Sequence, residues 1–167
     1  EGADRAEFTA AKFGSAERAA ETYERVKVVG ADEGLDFRFD KIKRSPNTVD
    51  AHRLLHYADK HDKQDAVSEG LFADFFFDGH DVSDLDVLVD TATEAGLDAD
   101  AVRAYLESDE DRELIQNADE EARALGIQGV PFFVINQKYA LSGAQPPEMF
   151  VKALADIEAE EMAGADA

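Results

Sequence analysis

The chain has 167 residues, 44% of them hydrophobic, no cysteine, and 38 acidic against 17 basic side chains for a net charge of −21. That length suits one domain, or one domain carrying an insert, and buries a core without staples. The lack of cysteine excludes a disulfide framework and a thiolate nucleophile within these residues, the acidic field makes nucleic acid and anionic lipid unexpected partners, and no apolar run approaches the roughly 18 residues of a membrane span.

Asp4 to Phe13 has helix-forming composition and ends at Gly14. Ser15 then offers an N-cap, with Glu17 at the positive end of the next helix dipole. Residues Ala16 to Glu33 carry Ala19, Ala20, Tyr23, Val26 and Val29 at helical spacing, with stops at Gly30 and Gly34. Leu35 to Phe39 alternates apolar and charged residues and reads as an extended segment or edge strand. Lys41 to Pro46 is a basic loop in an otherwise acidic chain.

Asn47 or Thr48 caps a helix whose apolar positions are Val49, Ala51, Leu54, Leu55 and Ala58. Gln64 to Phe77 places Val67, Leu71, Phe72, Phe75 and Phe76 on one stripe, ended by Asp78-Gly79; the Phe75-Phe76-Phe77 cluster reads as a core face rather than a ligand site. Ser83 or Asp84 caps a helix stopped by Gly96, Asp98 caps a short one, and Asp109 to Leu125 forms another, with Leu114, Ile115, Ala118, Ala122 and Leu125 as its stripe and Gly126 as its stop.

After this helical stretch comes Gly129-Val130-Pro131, an apolar run Phe132 to Ile135, a break at Asn136-Gln137 and a second run from Tyr139. The pattern predicts a hairpin with a proline at its mouth, where the missing N–H costs no ladder bond. Pro147 to Ala159 closes as a helix, proline in its first turn, and the acidic tail from Glu158 is expected to fray. Two strands and an edge segment make a small sheet, and Phe132 to Ile135 is apolar on both faces, so partners on each side are expected, as from an upstream βαβ unit.

The blocks Gly126-Ile127-Gln128-Gly129-Val130-Pro131-Phe132-Phe133 and Ala140-Leu141-Ser142-Gly143-Ala144-Gln145 resemble the DsbA-like thioredoxin-fold proteins, specifically the subgroup around FrnE and the 2-hydroxychromene-2-carboxylate isomerases. Gly34 to Phe39, Pro46 to Arg53 and the order of the blocks resemble it too, over nearly the whole chain. The resemblance implies an α/β, thioredoxin-like fold, here partial, with a large all-helical insertion. Its segments would be residues 1–45 leading from a thioredoxin N-terminal half, the insertion at 46–125, and a C-terminal half at 126–167 with a cis-proline loop, hairpin and helix. The Cys-Pro-x-Cys motif of the family, or the serine that replaces it in the isomerases, would lie before Glu1, so the expectation is a mature product or a piece of a longer chain.

By the same resemblance, Val130 precedes a cis proline, Pro131, and offers its backbone to a peptide or to glutathione as an added strand. Asn47 and His52 would line the active-site pocket, Asn47 bonding a substrate carbonyl and His52 shuttling a proton; the competing readings are an N-cap and a surface histidine. Lys43 and Arg44 could attract a carboxylate such as that of glutathione, though balancing local acids is the preferred reading. Ser142 and Gln145 are expected to shape a turn. His52 and His56 stand at i and i+4 without the neighbouring Glu of a zinc hydrolase, so no metal site is assigned.

Three functions remain open at this level. The first is a thiol–disulfide oxidoreductase acting on a protein or small-molecule thiol or disulfide, its cysteines supplied upstream, with no cofactor required. The second is a glutathione-dependent isomerase or transferase. The third is a non-catalytic binding relic that pairs through an open sheet edge, with a homodimer possible. The compartment is read as cytoplasmic, with no signal peptide visible, and the dispersed acids fit either a salty cytoplasm or an ordinary acidic protein.

Overall fold

A computed structural model describes residues 2–165. The chain divides into two compact units, Glu1–Asn117 and Ala118–Ala167. In the first, β1 (Ala3–Asp4) pairs antiparallel with β2 (Arg44–Ser45), in the register Ala3 to Ser45. Between these short strands run α1 (Arg5–Phe13) and α2 (Ala16–Asp32). Then follow α3 (Val49–Asp59), α4 (Gln64–Ala73), a π-helical turn (Asp74–Asp78), α5 (Leu85–Glu94) and α6 (Ala99–Glu107). Helix α7 (Arg112–Ala124) crosses the division. The second unit holds β3 (Phe132–Ile135), β4 (Tyr139–Ser142) and α8 (Pro147–Ala165). The contacts group residues 2–45 with the helices that follow.

Local chemistry starts and stops the helices as read. Asp4 accepts from the Glu7 N–H at 3.0 Å, Ser15 from Arg18 at 3.2 Å, Asp84 from Asp86 at 2.8 Å and Asp98 from Ala101 at 2.9 Å. Each such cap contributes about 1 kcal/mol. At the α3 start the work is shared: Thr48 is the N-cap residue without a side-chain bond, and Asn47 Oδ1 accepts from the Val49 N–H at 3.0 Å.

The core of the first unit is built where α3, α4, α5 and α6 meet. Leu54, Ala58, Val67, Ala92 and Val102 are fully buried, with Leu88, Tyr105 and Leu106 nearly so. At its edge Arg53 is also fully buried, and all of its donor groups are used. Its Nε donates to Glu110 O (2.8 Å), one terminal nitrogen to Asp50 Oδ1 (2.7 Å) and Leu106 O (3.1 Å), and the other to Tyr105 O and Ser108 O (both 2.8 Å). One guanidinium thereby satisfies the carbonyls at the end of α6, which an α-helix leaves without partners.

Of the two readings of Leu35 to Phe39, extended segment or edge strand, the strand does not form. The Arg38 N–H donates to Phe76 O at 2.8 Å and Lys41 Nζ to Phe77 O at 2.9 Å, so this stretch closes the end of the later helical run, α4 with its π turn, instead of joining a sheet. Its rings pack accordingly: Phe37 meets Phe76 at 5.4 Å, and Phe39 meets Tyr23 at 4.9 Å. Gly30 permits this, because a Cβ there would fall 2.5 Å from the Phe37 ring. The run from Gln64 does not stay α-helical to Phe77; it widens to the π turn at Asp74 and stops at Gly79, φ 75°. Helix α7 forms over the stretch read as helical, but no residue of it is buried, and Leu114 and Leu125 are exposed.

In the second unit β3 and β4 pair antiparallel, Phe132 to Ser142 and Ile135 to Tyr139. Lys138 N–H donates to Ile135 O at 3.1 Å across the turn, with Asn136 and Gln137 both at positive φ. The Phe133 ring meets Phe150 of α8 edge-on at 5.0 Å, and Ile157 of α8 is buried. The other face of the sheet carries Val134, which is exposed. The tail from Glu158 does not fray but continues helical to Ala165. Lys138 Nζ donates to Glu160 at 2.7 Å and Asn136 to Glu161 at 2.7 Å, tying these turns to the hairpin.

Candidate functional site

The first unit contains a cavity of about 760 Å³, a size suited to a small organic ligand. Its walls come from four places in the chain. Helix α1 supplies Arg5 and Phe8, and α2 supplies Tyr23. The β2–α3 corner and the first turns of α3 supply Ser45 to Thr48, Ala51, His52 and Leu55. The end of α4 and the π turn supply Ser68, Leu71, Phe72, Phe75 and Phe76.

The widened turn explains how three consecutive phenylalanines serve different contacts. Phe75 packs against the core cluster, Phe76 stacks among Phe37, Phe72 and Phe75 at the cavity wall, and Phe77 stacks on Phe37 at 6.1 Å. The reading of this cluster as a core face holds for Phe75, while Phe75 and Phe76 also line the cavity together with Phe72, which is 57% exposed. A π turn is a frequent mark of functional positions.

Of the site residues named from sequence, Asn47 and His52 come together on this cavity, both solvent-accessible. Asn47 spends its oxygen on the α3 cap, which leaves its amide N–H groups to donate. Val130 and Pro131 lie in the second unit, joined by a cis peptide bond. Val130 is 90% exposed. Pro131 O accepts from the Gly143 N–H at 2.9 Å, and Gln145 Nε2 donates to Ser142 O at 2.8 Å. Ser142 and Gln145 therefore shape the turn that backs the proline. Lys43 and Arg44 are taken up locally, by Asp40 O at 2.8 Å and by Asp81 at 3.1 Å.

Sequence reasoning missed Arg5, Phe8 and Tyr23 as cavity residues. Arg5 lies with its guanidinium carbon 4.6 Å from the Tyr23 ring centre and 5.9 Å from that of Phe39, a cation–π arrangement. The signal available was the aromatic run at Phe75 to Phe77. It marked one wall, but nothing local joined it to α1.

A second polar cluster lies on α3, α6 and the loop before α7. Asp111 accepts from Lys60 Nζ at 2.8 Å and from Tyr105 Oη at 3.0 Å, with His56 at 3.6 Å. The Lys60 hydrogen bond holds the Asp111 carboxyl below the usual carboxylate range. Burial first, and the carboxylate beside it second, push the Tyr105 phenol well above its ordinary value. Among the described residues no group of three or more His, Asp or Glu is arranged to hold a metal ion, and no helix is long and apolar enough to cross a membrane.

Comparison with known proteins agrees with the geometry. Residues 1–155 match the family model of the DSBA-like thioredoxin domain. A curated relative, the uncharacterised protein YwbO of Bacillus subtilis, is 30% identical over 127 residues, which span 74% of this chain and 62% of that protein. The crystal structure of a probable DsbA oxidoreductase from Streptomyces coelicolor superposes with a TM-score of 0.84 at 35% identity, covering 96% of this chain and 69% of that one. The fold is thus DsbA-like and thioredoxin-related, mostly helical with few strands. The chain spans less than two thirds of the curated relative's length.

Proposed function

The chain belongs to the DSBA-like thioredoxin domain family, and from that premise we propose that it forms the larger part of a thiol–disulfide oxidoreductase. One observation carries the reading: nearly the whole chain follows the backbone of a protein named as a probable DsbA oxidoreductase. These 167 residues hold no cysteine, so the reacting thiols would come from residues outside them. A thiolate would attack one sulfur of a substrate disulfide and expel the other as thiolate. A second enzyme thiolate would then attack the mixed disulfide, releasing the substrate as a dithiol and leaving the enzyme oxidised. In this scheme the exposed Val130 backbone beside Pro131 pairs with an extended substrate. Glutathione is the small thiol that would recycle the enzyme.

The test begins with intact mass and N-terminal sequencing of the natural gene product. Glutathione-driven reduction of insulin disulfides is then assayed with that product. The expected result is a Cys-x-x-Cys pair whose Cys→Ser variant abolishes turnover. A product with a lone serine at that place, no insulin reduction and glutathione-dependent isomerisation of a small aromatic acid would replace this reading with the isomerase. A product with neither cysteine nor that serine would remove both.

A further inference from the structure

We infer that a second cavity of the first unit, between β2 and the starts of α3, α5 and α7, is a binding site for inorganic phosphate. It measures about 420 Å³ and is lined by Gly2, Arg44, Asn47, Asp50, Ser83 and Arg112. None of these carries a large apolar side chain, so the hollow suits a small hydrated ion rather than an organic body. The first ground is charge. The chain holds 38 acidic against 17 basic side chains, yet this lining holds two arginines and one aspartate. Asn47 and Asp50 open α3, Ser83 precedes α5 and Arg112 opens α7, so three helix dipoles add their positive ends to the same field.

The second ground is the supply of donors. Arg44 spends its Nε on Asp81 at 3.1 Å and one terminal nitrogen on Gly2 O at 2.8 Å. Asp81 is also held by the Ser83 N–H and hydroxyl. Arg112 spends one terminal nitrogen on Asp50 at 2.8 Å, and its Nε stands 3.4 Å from Asp109. Among the described residues the other terminal nitrogen of each arginine meets no acceptor. Asn47 gives its oxygen to the Val49 N–H and keeps its amide hydrogens. These donors come from β2, the corner before α3 and the start of α7. Three separate origins suit the tetrahedral oxygens of phosphate better than a planar carboxylate, which one guanidinium fork satisfies alone.

The third ground is the single acid in the lining. Asp50 Oδ1 accepts from Arg53 at 2.7 Å and from Arg112 at 2.8 Å. Among the described residues its Oδ2 accepts from none. A carboxylate oxygen left open among donors repels sulfate, which has no proton to offer. Phosphate at neutral pH keeps at least one P–O–H and donates it to that oxygen. One acceptor set among donors therefore selects the oxyanion that still carries a proton. This inference does not rest on disulfide exchange, because binding is read without any thiol.

The experiment is calorimetric titration of the natural gene product with sodium phosphate and with sodium sulfate, at neutral pH and matched ionic strength. The expected result is phosphate binding at least about 10-fold tighter than sulfate, the margin between a made and a repelled charge-assisted bond. Arg112→Gln and Arg44→Gln should each weaken phosphate about 10-fold or more. Arg103→Gln, whose pair with Asp86 lies outside this cavity, should leave phosphate binding unchanged. Asp50→Asn keeps an oxygen for Arg53 and Arg112 and puts an N–H donor in place of Oδ2, so it should erase the preference by tightening sulfate, which a merely structural role would not do. Sulfate binding as tight as phosphate to the unaltered protein, or no phosphate binding at millimolar concentration, overturns the inference. So does an equal loss in Arg103→Gln and Arg112→Gln, which would assign the effect to net charge. If Asp50→Asn does not fold, the phosphate-to-sulfate ratio in the unaltered protein and the loss in Arg112→Gln decide.

Discussion

Replacing Arg53 by methionine tests how the first unit is held together. The substitution keeps an unbranched apolar stem in the same channel and removes the guanidinium. Tyr105 O and Leu106 O are the carbonyls reached by fully buried bonds. Tyr105 O keeps the Ser108 hydroxyl at 2.7 Å, so its loss sits at the low end. Ser108 O and Glu110 O are only partly buried and recover water. Asp50 keeps Arg112 at 2.8 Å. An unpaired buried carbonyl costs about 1–3 kcal/mol, which puts the whole substitution at about 2–4 kcal/mol. Urea unfolding followed by far-UV circular dichroism measures it. Arg53→Lys should recover little, because an ammonium has three donors and cannot span the same fork. A loss below about 1 kcal/mol in Arg53→Met would refute the reasoning, since it would mean the α6 end finds its partners without this side chain.

Gly79→Ala should destabilise by about 1–3 kcal/mol in the same assay, because φ is +75° and the added Cβ would lie 2.7 Å from the Lys41 carbonyl carbon; a change within about 0.5 kcal/mol would contradict it. The depressed Asp111 carboxyl contributes stability that is present above the ordinary carboxylate range and lost as pH falls below about 4. Lys60→Met, which removes the main cause of that depression, should therefore destabilise at pH 7 and approach the unaltered protein as pH falls through and below the ordinary carboxylate range; a gap that stays constant across the acid titration would count against the assignment. For Tyr105 the sign is opposite: its folded-state value is raised, so stability is intact below about pH 10 and lost as pH rises beyond it, and Tyr105→Phe should flatten that alkaline limb. Lys138→Ala should speed amide hydrogen exchange in the last turns of α8, where Glu160 loses its 2.7 Å partner; unchanged protection there would show that the tie to the hairpin does not hold these turns.

What a reader of the bare chain can see here is the chemistry of near neighbours. Asp4, Ser15, Asp84 and Asp98 bond to N–H groups two or three residues away, so each helix start is written locally. The hairpin is legible for the same reason, since the turn at Asn136-Gln137 and the apolar runs beside it lie within one short window. Family membership was also legible, because the Gly-Val-Pro-Phe-Phe and Ser-Gly-Ala-Gln blocks are contiguous. Placing Asn47 and His52 on one segment needed no more than that.

Packing over long separations settled the remainder. Leu35 to Phe39 alternates like a strand, but Lys41 reaches Phe77 across 36 residues and draws the segment to a helix end. Arg53 looks like a surface residue of an amphipathic helix until the end of α6 and the loop after it, as far as Glu110 57 residues on, close over it. The acidic end of α8 looks frayed until Asn136 and Lys138, 25 and 22 residues earlier, hold it. Beyond the aromatic run that marks one wall, the cavity has no local signature, since its arginine, its tyrosine and its phenylalanines come from α1, α2, α4 and the π turn. Periodicity tells which face of a helix is apolar; which partner covers that face, and where a gap is left between partners, depends on how the helices meet in space.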